Sequence, residues 1–157
     1  MLTMLILLSA LLYSSLIEYC LHRFALHHSA KQRHIKNHHK IFHGIKSYEL
    51  NEAHAEDIIS SKKYILSNIL PALPIALIIF FQDKFLGVLF ILTSIIYTLW
   101  VEYVHLYFHR KTNNFLERFK FFQRLKEHHR VHHYIYDSNY GIACTFWDIV
   151  FRTKRYK

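Results

Sequence analysis

Apolar positions in this chain gather into three long blocks instead of alternating with polar ones. Residues 1–20 are almost unbroken apolar sequence, with a single charge at Glu18. Residues 64–81 and 85–108 form the second and third blocks, separated only by Gln82, Asp83 and Lys84. A helix needs about 20 apolar residues to cross a bilayer. The pattern therefore predicts three transmembrane helices near 2–20, 64–81 and 85–108, the last two joined as a tight hairpin. A cleaved leader would want Lys or Arg at its start and a small-residue cleavage site. The first block has neither and runs straight into histidines, so a retained anchor is expected. Pro71 and Pro74 predict a kink in the second span, with neighbouring groups taking over the freed backbone positions. Residues 51–61, the most polar part of the first loop, predict a short surface helix. No internal repeat or low-complexity linker divides the chain, which is expected to form one domain, 1–157.

Composition sharpens this picture. A hydrophobic content of 52% sits beside a formal charge of +9, a combination that suits apolar spans with basic segments on the cytoplasmic side. Glycine and proline, at three and two residues, are too scarce for a loop-rich or disordered chain. The basic residues fall in 22–63 and 110–157, with Lys84 alone on the opposite side. The positive-inside bias then places both segments in the cytoplasm and the N-terminus outside. No groove-reading motif accompanies the charge, so no nucleic acid is expected as a partner. Two cysteines, Cys20 and Cys144, give no disulfide framework.

The chain has 14 histidines, and most fall in four groups. These hold His22 and His27; His34, His38 and His39; His105 and His109; and His129, His132 and His133. Residues three or four apart share a face of an α-helix, so the last two groups each present a set of imidazoles on one side. His22 and His27 are five apart and diverge on a straight helix. That pair calls for an end or bend near Ala25, or for His28 to share the work. Every group follows an apolar block or lies in a basic segment, so all four can converge on one layer beside the membrane. Ten imidazoles exceed the four ligands of a tetrahedral zinc. They suffice for two metals, and imidazole suits iron, zinc and copper alike. His28 and His128 are not required by the spacing, and His43 and His54 are read as polar surface residues.

Carboxylates near a membrane are expensive and are usually paired or functional. Glu18 precedes His22 by four residues and Glu102 precedes His105 by three. Both are expected to accept hydrogen bonds from ligand imidazoles. Tyr103, Tyr107, Phe108 and Tyr140 are candidate walls of a substrate cavity. A metal transporter should carry ionisable ligands at mid-bilayer, and the span centres carry none. A membrane protein that binds metal without catalysis stays open at this stage.

These residues resemble the membrane fatty acid hydroxylase and sterol desaturase superfamily, nearest to the fatty acid 2-hydroxylases. The resemblance covers nearly the whole chain. It is carried by IEYCLHRFALHH (17–28), by WVEYVHLYFH (100–109) and most specifically by LKEHHRVHHYIYDSNYGIACTFWDIVFRT (125–153). It implies an all-α membrane fold, two iron ions (or zinc as purified), O2 as co-substrate and a lipid acyl chain as substrate. It also implies that the ligands are the ten histidines above, with Asp148 bracing one of them and Tyr140-Gly141 and Trp147-Asp148 packing under the site. Hydroxylation is expected. A desaturase or a sterol- or carotenoid-type oxidase would use the same site. The HIKNHH spacer is longer than is usual in the 2-hydroxylase branch, and the gap from His27 to His34 is shorter. No cytochrome b5 domain is read in this chain, so a separate electron donor, cytochrome b5-like or ferredoxin-like, is expected. A homo-oligomer is left open.

Overall fold

The computed structural model describes residues 1–43, 62–110 and 115–156. The surface helix expected at 51–61, and His54 within it, lie outside those residues. The described chain is all-helical, as the apolar pattern predicts. Helix α1 (Leu2–Cys20) continues as a π-helical segment, Leu21–Ser29, and α2 (Lys31–His34) as another, Ile35–His39. Then come α3 (Lys62–Ile69), α4 (Ala72–Gln82) and α5 (Lys84–Phe108). A 3₁₀ turn at Phe115–Arg118 leads into α6 (Lys120–Tyr134), and α7 (Phe146–Val150) closes the chain. Three stretches are long and apolar enough to cross a membrane: Leu2–Ser29, Lys62–Gln82 and Lys84–Phe108.

The prolines do more than kink the second span. Proline lacks an N–H and clashes with the carbonyl four residues before it. The helix accordingly stops at Ile69 and restarts at Ala72. The Leu70 carbonyl, which a residue at 74 would normally bond, accepts instead from the Leu73 N–H at 3.1 Å. The Pro71 carbonyl takes the Tyr13 hydroxyl at 3.0 Å, which ties the break to α1.

The hairpin turn is a single residue. Asp83 caps α5 by accepting from the Leu86 N–H at 3.1 Å. Just beyond it α4 and α5 nearly touch, since a Cβ on Gly87 would lie 2.5 Å from the Phe80 Cα. Small side chains also bring α1 close: Ala10, Ala72 and Ala76 pack with Phe90, as expected where helices associate without a hydrophobic drive from water. Leu8, Leu77, Ile78 and Ile96 point outward, more than half exposed, a surface suited to lipid. Three hydroxyls inside α5 are satisfied locally. The Thr93, Ser94 and Thr98 hydroxyls donate to carbonyls four residues earlier, at 2.7 to 3.0 Å.

A second core joins the spans to the polar layer. Tyr97, Val101, Val104 and Phe108 on α5 pack with Phe122 on α6 and with Ile142. The tail is sewn to α1 by the Trp147 indole N–H, which donates to Ser15 Oγ at 3.0 Å. Phe151 stacks on Tyr19, their ring centres 5.3 Å apart. These contacts bring α6 and the loop before α7 against the histidine-bearing end of α1.

Candidate metal centre

The first two histidine groups are delivered by widened helix. In a π-helix the backbone bonds run from i+5 to i, as in Ala30 N–H to Ala25 carbonyl at 2.8 Å and Lys40 N–H to Ile35 carbonyl at 2.9 Å. Residues five apart then stack on one face. His22 and His27 come within 5.0 Å, ring centre to ring centre, and His34 and His39 within 4.8 Å. The bend expected near Ala25 is therefore replaced by widening, and His28 stays exposed. On α5 and α6 ordinary spacing suffices, with His105 and His109 at 5.0 Å and His129 and His133 at 4.7 Å.

The ten rings form two sets. Ring nitrogens of His22, His27, His34 and His132 lie within 4.8 Å of one another, as do those of His38, His109, His129 and His133. His105 joins the second set, its Nε2 3.1 Å from that of His129 and 3.3 Å from that of His109. His39 lies where the sets meet. Its Nε2 is 3.2 Å from that of His27, while its ring centre is 4.3 Å from that of His133.

Two observations fit this cage to cations. First, the Nε2 atoms of His34, His38 and His132 are buried with no hydrogen-bond partner among the described residues, a costly state for a polar atom. Second, His129 Nε2 faces those of His105, His109 and His133 at 3.0 to 3.1 Å. One ring nitrogen can share at most one proton with those three. A cation among them satisfies all four. With metal–nitrogen bonds of about 2.0–2.1 Å, neighbouring ligand atoms sit roughly 2.9 Å apart at right angles and 3.4 Å apart in a tetrahedron. The spacings from His105 and His129 to their neighbours in the second set, 3.0 to 3.3 Å, fall in that interval.

Tautomers support the same direction. His22 Nδ1 lies 2.5 Å from the Tyr140 carbonyl and His132 Nδ1 lies 2.6 Å from the Ser138 carbonyl. A carbonyl only accepts, so each Nδ1 carries the proton and each Nε2 offers its lone pair inward. Burial, reinforced by neighbouring imidazoles, holds the rings neutral. It lowers His34 to about 3 and drives His38, His129, His132 and His133 well below the usual value.

This gives the metal-free protein a defined pH response. Above about pH 6.5 these rings are neutral whether folded or unfolded and contribute no pH dependence. Below it the unfolded chain takes up protons that the folded cage refuses. Stability should then fall by up to about 1.4 kcal/mol per ring per pH unit, down to the folded values. Thermal melting of chelated protein between pH 5 and 8 checks this. A flat profile through pH 6 would show that the rings are not held neutral.

Glu18 and Asp148 take other partners than the sequence suggests. Glu18 is buried, but its oxygens accept from the Ile142 N–H at 3.0 Å and the Tyr97 hydroxyl at 3.3 Å, not from a ligand imidazole. Asp148 meets His128 at 3.0 Å rather than a histidine of either set. It also accepts from the Tyr140 and Gly141 N–H groups, both at 2.8 Å, and from the Thr153 hydroxyl at 2.7 Å. Burial pushes the Asp148 carboxyl up, but His128 and these donors hold it below the ordinary value. Glu102 is half-buried on α5, one turn before His105. Together Glu18 and Asp148 bind three successive N–H groups, at residues 140 to 142. The same loop presents the carbonyls that orient His132 and His22. Asn139, at φ 52°, turns the chain there, and its side-chain amide donates to the His128 and Arg155 carbonyls.

Of the aromatic candidates, Tyr140 lies at the cage, its ring centre 5.4 Å from that of His27 and 5.8 Å from that of His132. Phe108 packs against His129 at 5.5 Å. Tyr103 is exposed and, with Trp100 and Tyr107, forms an aromatic ladder along α5. Neither Tyr103 nor Tyr107 has a ring contact with a cage imidazole among the described residues. His43 is exposed, with Nδ1 2.8 Å from the His133 carbonyl. The Ser138 and Tyr140 carbonyls were invisible to sequence reading, because every residue carries one. His128 had a signal, adjacency to the motif, but nothing marked it as the partner of Asp148.

Three candidate spans with two buried imidazole sets beside them define a multi-pass membrane protein built around a dinuclear metal site. A family model for fatty acid hydroxylases matches residues 7–153; the chain belongs to that family, and so to the membrane di-iron oxidoreductases. No curated protein and no solved structure matches the chain.

Proposed function

We propose that this chain is an O2-dependent hydroxylase of a lipid acyl chain, using two iron ions and nearest in kind to the fatty acid 2-hydroxylases. The observation that carries this reading is the cage itself: ten imidazoles in two sets at the span ends. His22, His27, His34, His39 and His132 would hold one ion; His38, His105, His109, His129 and His133 would hold the other. Two iron ions so held supply O2 activation and oxygen insertion into a C–H bond, with two electrons and two protons reducing the second oxygen to water. The protein's part is placement. The Tyr140 and Ser138 carbonyls fix two ligand rings, and Glu102 is proposed to steady the α5 imidazoles. The Tyr140 ring would form one wall of the acyl-chain site, and the buried cage excludes bulk water.

The basic segments support a cytoplasmic position for the site by the positive-inside bias. They also support docking of a separate acidic electron carrier, which would make reductant-coupled turnover sensitive to salt.

Lipid mass spectrometry of a host expressing the chain, beside one expressing His132→Ala, tests the reading. A hydroxylated acyl lipid is expected only with the intact chain. A new double bond in its place would assign a desaturase, since both reactions begin with hydrogen removal. Identical lipid pools would contradict an oxidative role.

A further inference from the structure

The far side of α6 carries a feature that the metal centre does not use. His129, His132 and His133 face the cage, while His128, Val131, Leu125 and Arg124 line a cavity of about 870 Å³ between α6 and the C-terminal tail. Its other wall is formed by Ala143, Cys144 and Thr145 and by Lys154 and Arg155. The volume is that of a small-molecule site, which typically holds about 300–1,000 Å³. It is small for a protein surface to enter.

The lining is divided by chemistry. Leu125, Val131 and Ala143 form an apolar floor. Arg124, Lys154 and Arg155 bring three positive charges, and the one carboxylate in the lining, Glu127, is engaged by Arg130 at 2.6 Å. The cavity is therefore apolar with a basic rim whose three cations meet no carboxylate among the described residues.

Its depth follows from the tail. Thr145 leads directly into α7, whose Trp147 reaches Ser15 inside the first span. The same short stretch exposes Phe146, Ile149, Val150 and Phe151, four large apolar side chains suited to lipid. The cavity thus borders the stretch where apolar side chains give way to basic ones, as at the level of lipid head groups.

We propose that this cavity binds an anionic lipid, with its phosphate or carboxylate head held by Arg124, Lys154 and Arg155. Its chain would lie over Leu125 and Val131 towards α7. A free anion would use the rim and leave the apolar floor uncovered; an acyl lipid uses both. The assignment does not depend on which lipid the metal centre oxidises.

Full-length, metal-loaded protein in nanodiscs of phosphatidylcholine with a minority of phosphatidylglycerol provides the test. Native mass spectrometry would count the lipids that stay bound. Phosphatidylglycerol is expected to be retained about tenfold above its share of the bilayer, and inorganic phosphate should not displace it. Arg124→Gln with Arg155→Gln should abolish the enrichment while the metal content stays unchanged. If that variant loses its metals, Lys154→Gln, which should weaken the enrichment, takes its place. Proportional retention of the two lipids by the wild type would overturn the proposal. So would enrichment that survives the substitutions. Displacement by inorganic phosphate would assign the cavity to a free anion and also refute the lipid site.

Discussion

Replacing His129 with alanine is expected to cost the protein one of its two metal ions and to lower lipid oxidation by more than about a hundredfold. Losing an outer partner of a ligand already costs about 10- to 100-fold, and His129 sits closer in. Its Nε2 has those of His105, His109 and His133 at 3.0 to 3.1 Å, so its loss opens the middle of the second set. The first set draws on other rings and should keep its ion. Metal analysis of the purified variant, beside turnover, checks both parts. His28→Ala, at an exposed ring in the same kind of motif, should leave both values unchanged. Full metal occupancy in His129→Ala would show that the ring is not a ligand.

Asp148→Ala should be the most destabilising change outside the cage. Asp148 is fully buried and holds His128, two backbone N–H groups and the Thr153 hydroxyl. Leaving a buried donor without its acceptor typically costs about 1–3 kcal/mol, and here two backbone N–H groups and the Thr153 hydroxyl lose theirs together. The damage should be uneven. The loop that Asp148 anchors orients His22 and His132, both of the first set, whereas His105, His109, His129 and His133 stand on α5 and α6. The variant should thus melt at a lower temperature and lose the first ion before the second. Gly141→Ala should act similarly, because a Cβ there would lie 2.0 Å from the Cys144 carbonyl oxygen and 2.9 Å from Asp148 Oδ2. Equal loss of both ions would detach this loop from the first set.

The spans were legible because apolar length is a local property of sequence. His105, His109, His129, His132 and His133 were legible as shared helical faces because α-helical spacing holds there. The pairing of His22 with His27 was not, since a five-residue interval fits a face only when the helix widens, and widening depends on tertiary context. The division of ten rings into two sets was equally hidden. It brings together rings far apart in sequence, as His22 with His132. The carboxylates misled for a related reason. Proximity in sequence placed Glu18 beside His22, but its oxygens turn to Ile142, which lies 124 residues away. Asp148 likewise serves the loop that carries the ligand-orienting carbonyls rather than a ligand itself. In both cases the acceptor supports the cage one step removed, through backbone N–H groups that no motif records.

The account rests on a cage that holds two ions on nitrogen ligands. Metal analysis of the purified, iron-loaded full-length protein, combined with X-ray absorption at the iron edge, tests this most directly. Two ions per chain in coordination shells dominated by imidazole nitrogen are predicted. One ion or none per chain, or a shell of sulfur or predominantly carboxylate oxygen, would contradict it.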